Sequence, residues 1–144
     1  MVTFPALFEP DRESGGFVVT FPDFHYGVTQ GETEEEATAM AQDLLEALVS
    51  DLVAAGKNLP EQSKRRGRRF RMVALPALQS AKVELYRAFR ASGMKKAELA
   101  RRIGMAKSNL DRLFDLKHQS RFDQLEAALA AMNKHMWIEV RGAA

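Results

Sequence analysis

Residues 94–114 read M-K-K-A-E-L-A-R-R-I-G-M-A-K-S-N-L-D-R-L-F, and this stretch decides how the second half of the chain is understood. Leu99, Ala100 and Ile103 form one apolar edge of a short helix. Gly104 supplies the left-handed backbone that ends it. Ala106, Leu110, Leu113 and Phe114 then recur at helical spacing along one side of a second helix. A small residue at Ala100 allows the two helices to cross closely. The pattern predicts a helix-turn-helix, whose second helix enters a DNA major groove. A helical hairpin that only packs is the alternative. Neither helix has a side-chain cap: Ala106 stands where Ser or Thr is favoured, a loss of about 1 kcal/mol, and Lys95 places a cation against the dipole. A phosphate beside Lys95 and Lys96 would turn that penalty into a contact.

The polar residues of this region are the candidate DNA contacts. Ser108, Asp111 and Arg112 point away from the Leu110–Leu113 edge, with Lys107 and Asn109 near the helix start. Arg112 suits guanine and Asn109 suits adenine. Lys95, Lys96, Arg101 and Arg102 suit phosphates. For each residue a solvated charged face is the competing explanation.

Working outward, the 144 residues suffice for one domain or two small ones. Hydrophobic residues make up 46% of the chain, so a core is expected. No apolar run is long enough to span a bilayer, and no basic region precedes an apolar stretch at the N-terminus, so no signal peptide is expected. The lack of cysteine excludes disulfides and thiolate metal sites and fits a cytoplasmic protein. His25, His118 and His135 show no metal-ligand spacing. No metal and no cofactor are expected.

The net charge of +2 conceals an asymmetry. Residues 1–63 carry 12 acids against Arg12 and Lys57, a net of −10; residues 64–144 carry 19 bases against 7 acids, a net of +12. A basic half suits a polyanion such as DNA, and an acidic half suits a basic partner. Mutual attraction of the halves is a further explanation, compatible with the first.

The N-terminal part reads β-β-β-α-β. Val2–Phe8 and Phe17–Phe21 are β-prone runs around the turn D-R-E-S-G-G at residues 11–16, so they predict a hairpin. His25–Gln30 reads as a weaker third strand. Thr33-Glu34-Glu35-Glu36 reads as a capping box opening a helix to about Ala55, which covers one face of the sheet. K-R-R-G-R-R-F-R at residues 64–71 is either a solvated strand lead-in or an extra phosphate contact, and Phe70–Leu75 is the fourth strand. Helices are expected at 79–91 and 122–132. His135–Val140 alternates as a terminal strand that needs an edge, and a second copy of the chain is one source of it.

Nearly the whole chain resembles one family. G-G-F-V-V-T-F-P-D-F, then T-Q-G-E-T-E-E-E-A, a long helix and L-P resemble the HicB antitoxins, although His25-Tyr26-Gly27-Val28 departs from the loop common there. K-K-A-E-L-A-R-R-I-G-M-A-K-S-N-L-D-R-L-F-D-L-K-H resembles the helix-turn-helix of one branch of that family. The resemblance implies an α+β N-terminal domain, 1–76, with a partial ribonuclease H-like fold, then an all-α helix-turn-helix domain, 77–144; the unpaired terminal strand in that second domain motivates a homo-oligomer, a dimer or tetramer. It implies an antitoxin that blocks a small basic mRNA-cleaving HicA-type toxin and represses its own operon by binding operator DNA. Asp11, Glu13, Asp23, Glu34, Glu35 and Glu36 are the candidate toxin contacts. Ribonuclease chemistry of its own needs carboxylates converging on two metals; no acid lies in a predicted core strand, so an enzyme is not expected. A stand-alone regulator with a ligand-sensing N-terminal module is the rival, and it predicts an apolar pocket.

Overall fold

A computed structural model describes residues 1–143. Four strands, β1 (Thr3–Pro10), β2 (Phe17–Thr20), β3 (Val28–Gly31) and β4 (Phe70–Ala74), and helix α1 (Glu34–Ala54) precede four helices: α2 (Ala77–Ser92), α3 (Lys96–Arg102), α4 (Lys107–Phe114) and α5 (Phe122–Ala131). An α+β unit is thus followed by an all-α region. The sheet has the order β3-β2-β1-β4 with every neighbouring pair antiparallel.

The period-two alternation of a strand decides which side chains meet α1. Phe4, Ala6 and Phe8 of β1, with Val19 and Val73 from its neighbours, are buried with Ala37, Ala41, Leu45, Leu48 and Val49 of α1. Phe24 seals one end, edge-on to Phe4 at 4.9 Å between ring centroids. On the other sheet face Val28 and Met72 remain exposed. The Thr33 hydroxyl caps α1 by accepting the Glu36 N–H at 3.1 Å. Glu36 reaches back one residue further than a capping box requires: its carboxylate accepts from Glu32 N–H at 2.9 Å, which ties down the β3–α1 joint. The third strand is shorter than expected. His25–Gly27 forms a bend instead, because Gly27 adopts a positive φ of 91° and passes against the Leu44 and Leu48 side chains.

A second cluster joins Leu85 and Tyr86 of α2, Leu99 and Ala100 of α3, Leu110, Leu113 and Phe114 of α4, and Leu125, Ala128 and Leu129 of α5. Two residues of the helical region cross over: Val83 of α2 and Leu116, just beyond α4, are buried in the sheet cluster. The same junction is stitched by polar bonds. Ser80 Oγ accepts from Val2 N–H and donates to the Leu75 carbonyl, both at 3.1 Å. The Tyr86 hydroxyl donates to the Lys57 carbonyl at 2.7 Å.

His135–Val140 forms no strand here. Met136 packs against the helical cluster, whereas Trp137, Ile138 and Val140 are 88%, 69% and 91% exposed. Both free sheet edges, β3 and β4, belong to the N-terminal layer, and the segment pairs with neither.

Candidate nucleic-acid interface

The α3–α4 pair is built as its sequence demands. Gly104 takes φ 65°, so the Met105 N–H reaches back to the Ala100 carbonyl at 2.9 Å and closes the end of α3. Leu99, Ala100, Leu110, Leu113 and Phe114 turn inward. Neither Lys95 nor Ala106 gives a side-chain cap, which leaves N–H groups at the start of both helices for solvent or an anion. All nine candidate contacts are exposed.

Their partners divide them. Lys96 Nζ and Asp111 Oδ1 form a 2.9 Å ion pair between α3 and α4, and the same ammonium lies 5.8 Å from the Phe114 ring centroid. These two residues therefore hold the helices together as well as facing outward. Arg102 pairs with Glu98 one turn back at 2.8 Å and reaches the Ala131 carbonyl of α5 at 3.4 Å, so it lies toward α5. Lys95, Arg101, Lys107 and Arg112 make no ion pair among the described residues. They are exposed and cationic, and Ser108 and Asn109 are exposed hydrogen-bonding residues of α4.

The six acidic candidates do not form one patch. The β1–β2 turn and the start of α1 share one end of the sheet, where Phe17 pairs with Gly31, so Asp11, Glu13 and Glu34–Glu36 lie toward the same end. Asp23 belongs to the opposite end, after β2. Four of the six also have structural work. Asp11 accepts from Glu13 N–H at 3.0 Å and from the Ser14 hydroxyl at 2.7 Å, which holds its carboxyl below the usual range. Asp23 accepts from Ser63 N–H at 2.9 Å. Glu34 pairs with Arg71 at 3.0 Å, and Glu36 serves the α1 start. Among the described residues no group of three or more His, Asp or Glu side chains is placed to hold a metal, and no helix is long and apolar enough to cross a membrane.

The basic stretch 64–71 is tied down at both ends. Ser63 N–H donates to Asp23, and Phe8 N–H donates to the Arg69 carbonyl at 2.7 Å. An open groove of about 780 Å³ runs between residues 58–62 and α2, but Glu61, Glu84, Arg87 and Arg90 line it together with Tyr86 and Leu59. It is not the apolar pocket that a small-ligand sensor would need.

The residue that sequence reasoning missed is Lys82. It is fully buried, and its ammonium donates to the Arg112 carbonyl at 2.9 Å, the Asp115 carbonyl at 2.6 Å and the Ser120 hydroxyl at 2.8 Å. Burial pushes its pKa down, and the nearby Asp115 carboxylate opposes that. One signal was present: Lys82 stands between Leu78 and Leu85 on the inward stripe of α2.

Residues 3–84 match the model of a family described as "HicB_like antitoxin of bacterial toxin-antitoxin system". Antitoxin HicB 2 of Photorhabdus laumondii is 35% identical over 133 residues, covering 92% of each chain. Antitoxin HicB of Pseudomonas fluorescens is 32% identical over 145 residues, covering 99% of this chain and 97% of the other. That of Escherichia coli K12 is 33% identical over 133 residues, covering 92% and 95%. Among solved structures, a chain of a toxin–antitoxin complex from Streptococcus pneumoniae is 25% identical with a TM-score of 0.45, covering 75% of this chain and 92% of that one; so loose a superposition carries no argument.

Proposed function

The chain belongs to the HicB-like antitoxin family, and from that premise we propose a two-part cytoplasmic repressor. Residues 1–76 bind and neutralise a small basic mRNA-cleaving toxin of the HicA type. Residues 77–144 bind the operator of the protein's own operon, with α4 as the reading helix. The observation that carries the DNA reading is the α3–Gly104–α4 unit, which buries one apolar edge and turns Lys95, Arg101, Lys107, Ser108, Asn109 and Arg112 outward. Arg112 and Asn109 read bases, and the lysines and Arg101 contact phosphates. Asp111 and Lys96 fix the angle between the two helices. Glu13 and Glu35, which lack a local hydrogen-bonding role, are the first acidic contacts for the toxin, with Asp11, Glu34 and Glu36 beside them. The protein acts by occupancy and not by catalysis.

Operator half-sites one helical turn apart call for two copies of such a unit. Trp137, Ile138 and Val140 support a homodimer, since three large apolar side chains exposed within four residues mark an interaction surface. Antiparallel pairing of two His135–Val140 segments would supply the edge that each lacks. Gel filtration of the full chain carrying Ile138→Asp and Val140→Asp tests this: a loss of the dimer is expected, and an unchanged elution volume counts against the pairing.

Co-expression with the small basic protein encoded beside it, followed by pull-down, tests the first part. Gel shift on the upstream DNA tests the second. Capture without any shift would remove the repressor role; a shift without capture would leave a stand-alone regulator.

A further inference from the structure

We infer that Lys82 is a positioning residue for DNA reading: its buried ammonium clamps the C-terminal turn of α4 and so sets the direction in which the Arg112 side chain leaves the protein. This rests on the reading of α4 as the recognition helix.

A helix ends with carbonyls that lack an intrahelical partner. Glycine with a left-handed backbone is the usual remedy, as Gly104 provides after α3. Beyond α4 there is none: Asp115 is extended, at φ −78° and ψ 110°. The carbonyls of Arg112 and Asp115 are taken instead by one ammonium, reached from α2 across 30 and 33 residues of chain. Its third proton goes to the Ser120 hydroxyl, which in turn donates to the Arg112 carbonyl at 3.3 Å. The three donors of an ammonium therefore meet three acceptors, all fixed in direction.

The arrangement is costly, which is why it points to a role. A fully buried cation is rarely left without a carboxylate hydrogen-bonded to it, and here none of the three acceptors is one. A leucine at position 82 would continue the apolar stripe of α2, but it would leave the Arg112 carbonyl with only the Ser120 hydroxyl at 3.3 Å and the Asp115 carbonyl with only the His118 N–H at 3.1 Å. The clamp also lies where orientation matters. Arg112 itself carries one of the clamped carbonyls, so the tie reaches the backbone of the base-reading residue directly. Next to Lys82 on α2, Val83 is buried in the sheet cluster. The end of α4 is thereby referenced to the N-terminal layer rather than only to its helical neighbours. The positive charge also faces the negative end of the α4 dipole.

The test uses the full chain with Lys82→Met, which keeps most of the length of the side chain and removes its donors, and with Ser120→Ala, which removes one acceptor of the ammonium together with a donor to the Arg112 carbonyl. Gel shifts are run on the upstream DNA and on a random duplex of equal length, at a temperature where circular dichroism shows each variant folded. Lys82→Met is expected to lower affinity for the upstream DNA about tenfold while affinity for the random duplex changes less than about twofold, because phosphate contacts tolerate a small reorientation and base contacts do not. Ser120→Ala is expected to change the ratio in the same direction, by less. A lowered melting temperature with the specific-to-random ratio unchanged makes Lys82 a stabilising residue only and overturns the inference. Should Lys82→Met not fold, an unchanged ratio in Ser120→Ala overturns it. If the wild-type protein itself prefers neither duplex, the DNA reading has failed; if it prefers the upstream DNA and Lys82→Met prefers it equally, the positioning role alone has failed.

Discussion

Leu116 lies two residues beyond α4, yet it is 2% exposed and belongs to the sheet cluster rather than the helical one. Its neighbourhood is fixed: the Leu116 carbonyl accepts from Gln79 Nε2 at 3.5 Å, and the turn around it is closed by His118 N–H on the Asp115 carbonyl at 3.1 Å. Leu116→Ala removes three buried carbons, which costs about 2–2.5 kcal/mol in transfer alone. The surrounding sheet and helix cannot close the hole fully, so a total of about 3 kcal/mol is expected. For a chain of this size that corresponds to a fall in Tm of roughly 6–12 °C. Because the side chain belongs to one region by sequence and to the other by packing, the loss should reach both. Urea denaturation gives the total, and native-state hydrogen exchange of the β1, β4, α4 and α5 amides gives its location. The expected result is reduced protection in the sheet as well as in α4 and α5. A loss below about 1 kcal/mol, or weakened protection in α4 and α5 with the sheet at wild-type values, would refute the view that this turn is bolted into the N-terminal core.

Three further outcomes are expected. Gly31→Ala would place a Cβ 2.6 Å from the Ala37 Cα, backbone against backbone, so α1 must lift from β3 and the urea midpoint should drop by the equivalent of about 3 kcal/mol. Asp11 has a folded pKa below its unfolded value because of the Ser14 hydroxyl and the Glu13 N–H; the contribution of the turn is therefore complete above the unfolded value and disappears as pH falls through the folded one. The Gly15 and Gly16 amide shifts should then move on acid titration below about pH 4, and Asp11→Asn should abolish the movement. Arg112→Ala should weaken operator binding by about 1–3 kcal/mol and relax preference at one base pair; equal loss on operator and random duplex, measured by gel shift, removes its base-reading role.

What the sequence made legible was local. Thr33 capping the start of α1, Gly93 and Gly104 at helix ends, the D-R-E-S-G-G turn and the Leu110–Leu113–Phe114 edge are all decided within a few residues, and each stands where it was expected. What was not legible depends on residues far apart in the chain. Nothing near Phe70–Ala74 says that this strand pairs with β1 rather than β3. Nothing near Leu116 says that it enters the other cluster. Lys82 escaped because its acceptors are mainly backbone carbonyls, which carry no residue-specific signature. Among the candidate toxin contacts, the sequence pattern showed the local role of Glu36 at the start of α1, but not that Asp11, Asp23 and Glu34 are each occupied by a neighbour.

The charge asymmetry is the case in which composition and fold diverge most usefully. Counted at the compositional step after residue 63, the halves differ by −10 and +12. The chain does not fold at that step: the basic run leads into β4, at the heart of whose edge strand Arg71 already pairs with Glu34. Counted at residue 76, after the sheet is complete, the first part carries 12 acids and 8 bases and the second 13 bases and 7 acids, nets of −4 and +6. Net charge on the N-terminal layer is therefore too small to attract a basic toxin by itself at physiological salt, where fields beyond about 8 Å are screened. Any such attraction must come from local arrangement, from the acids around the β1–β2 turn and the start of α1, where the end of the basic run already engages Glu34 through Arg71. The second part loses less by the recount. Lys95, Arg101, Lys107 and Arg112 make no ion pair among the described residues, and four such cations would give DNA binding a salt dependence with a log–log slope of about −3.6 if each neutralised one phosphate. A slope near zero would mean that these cations face solvent alone.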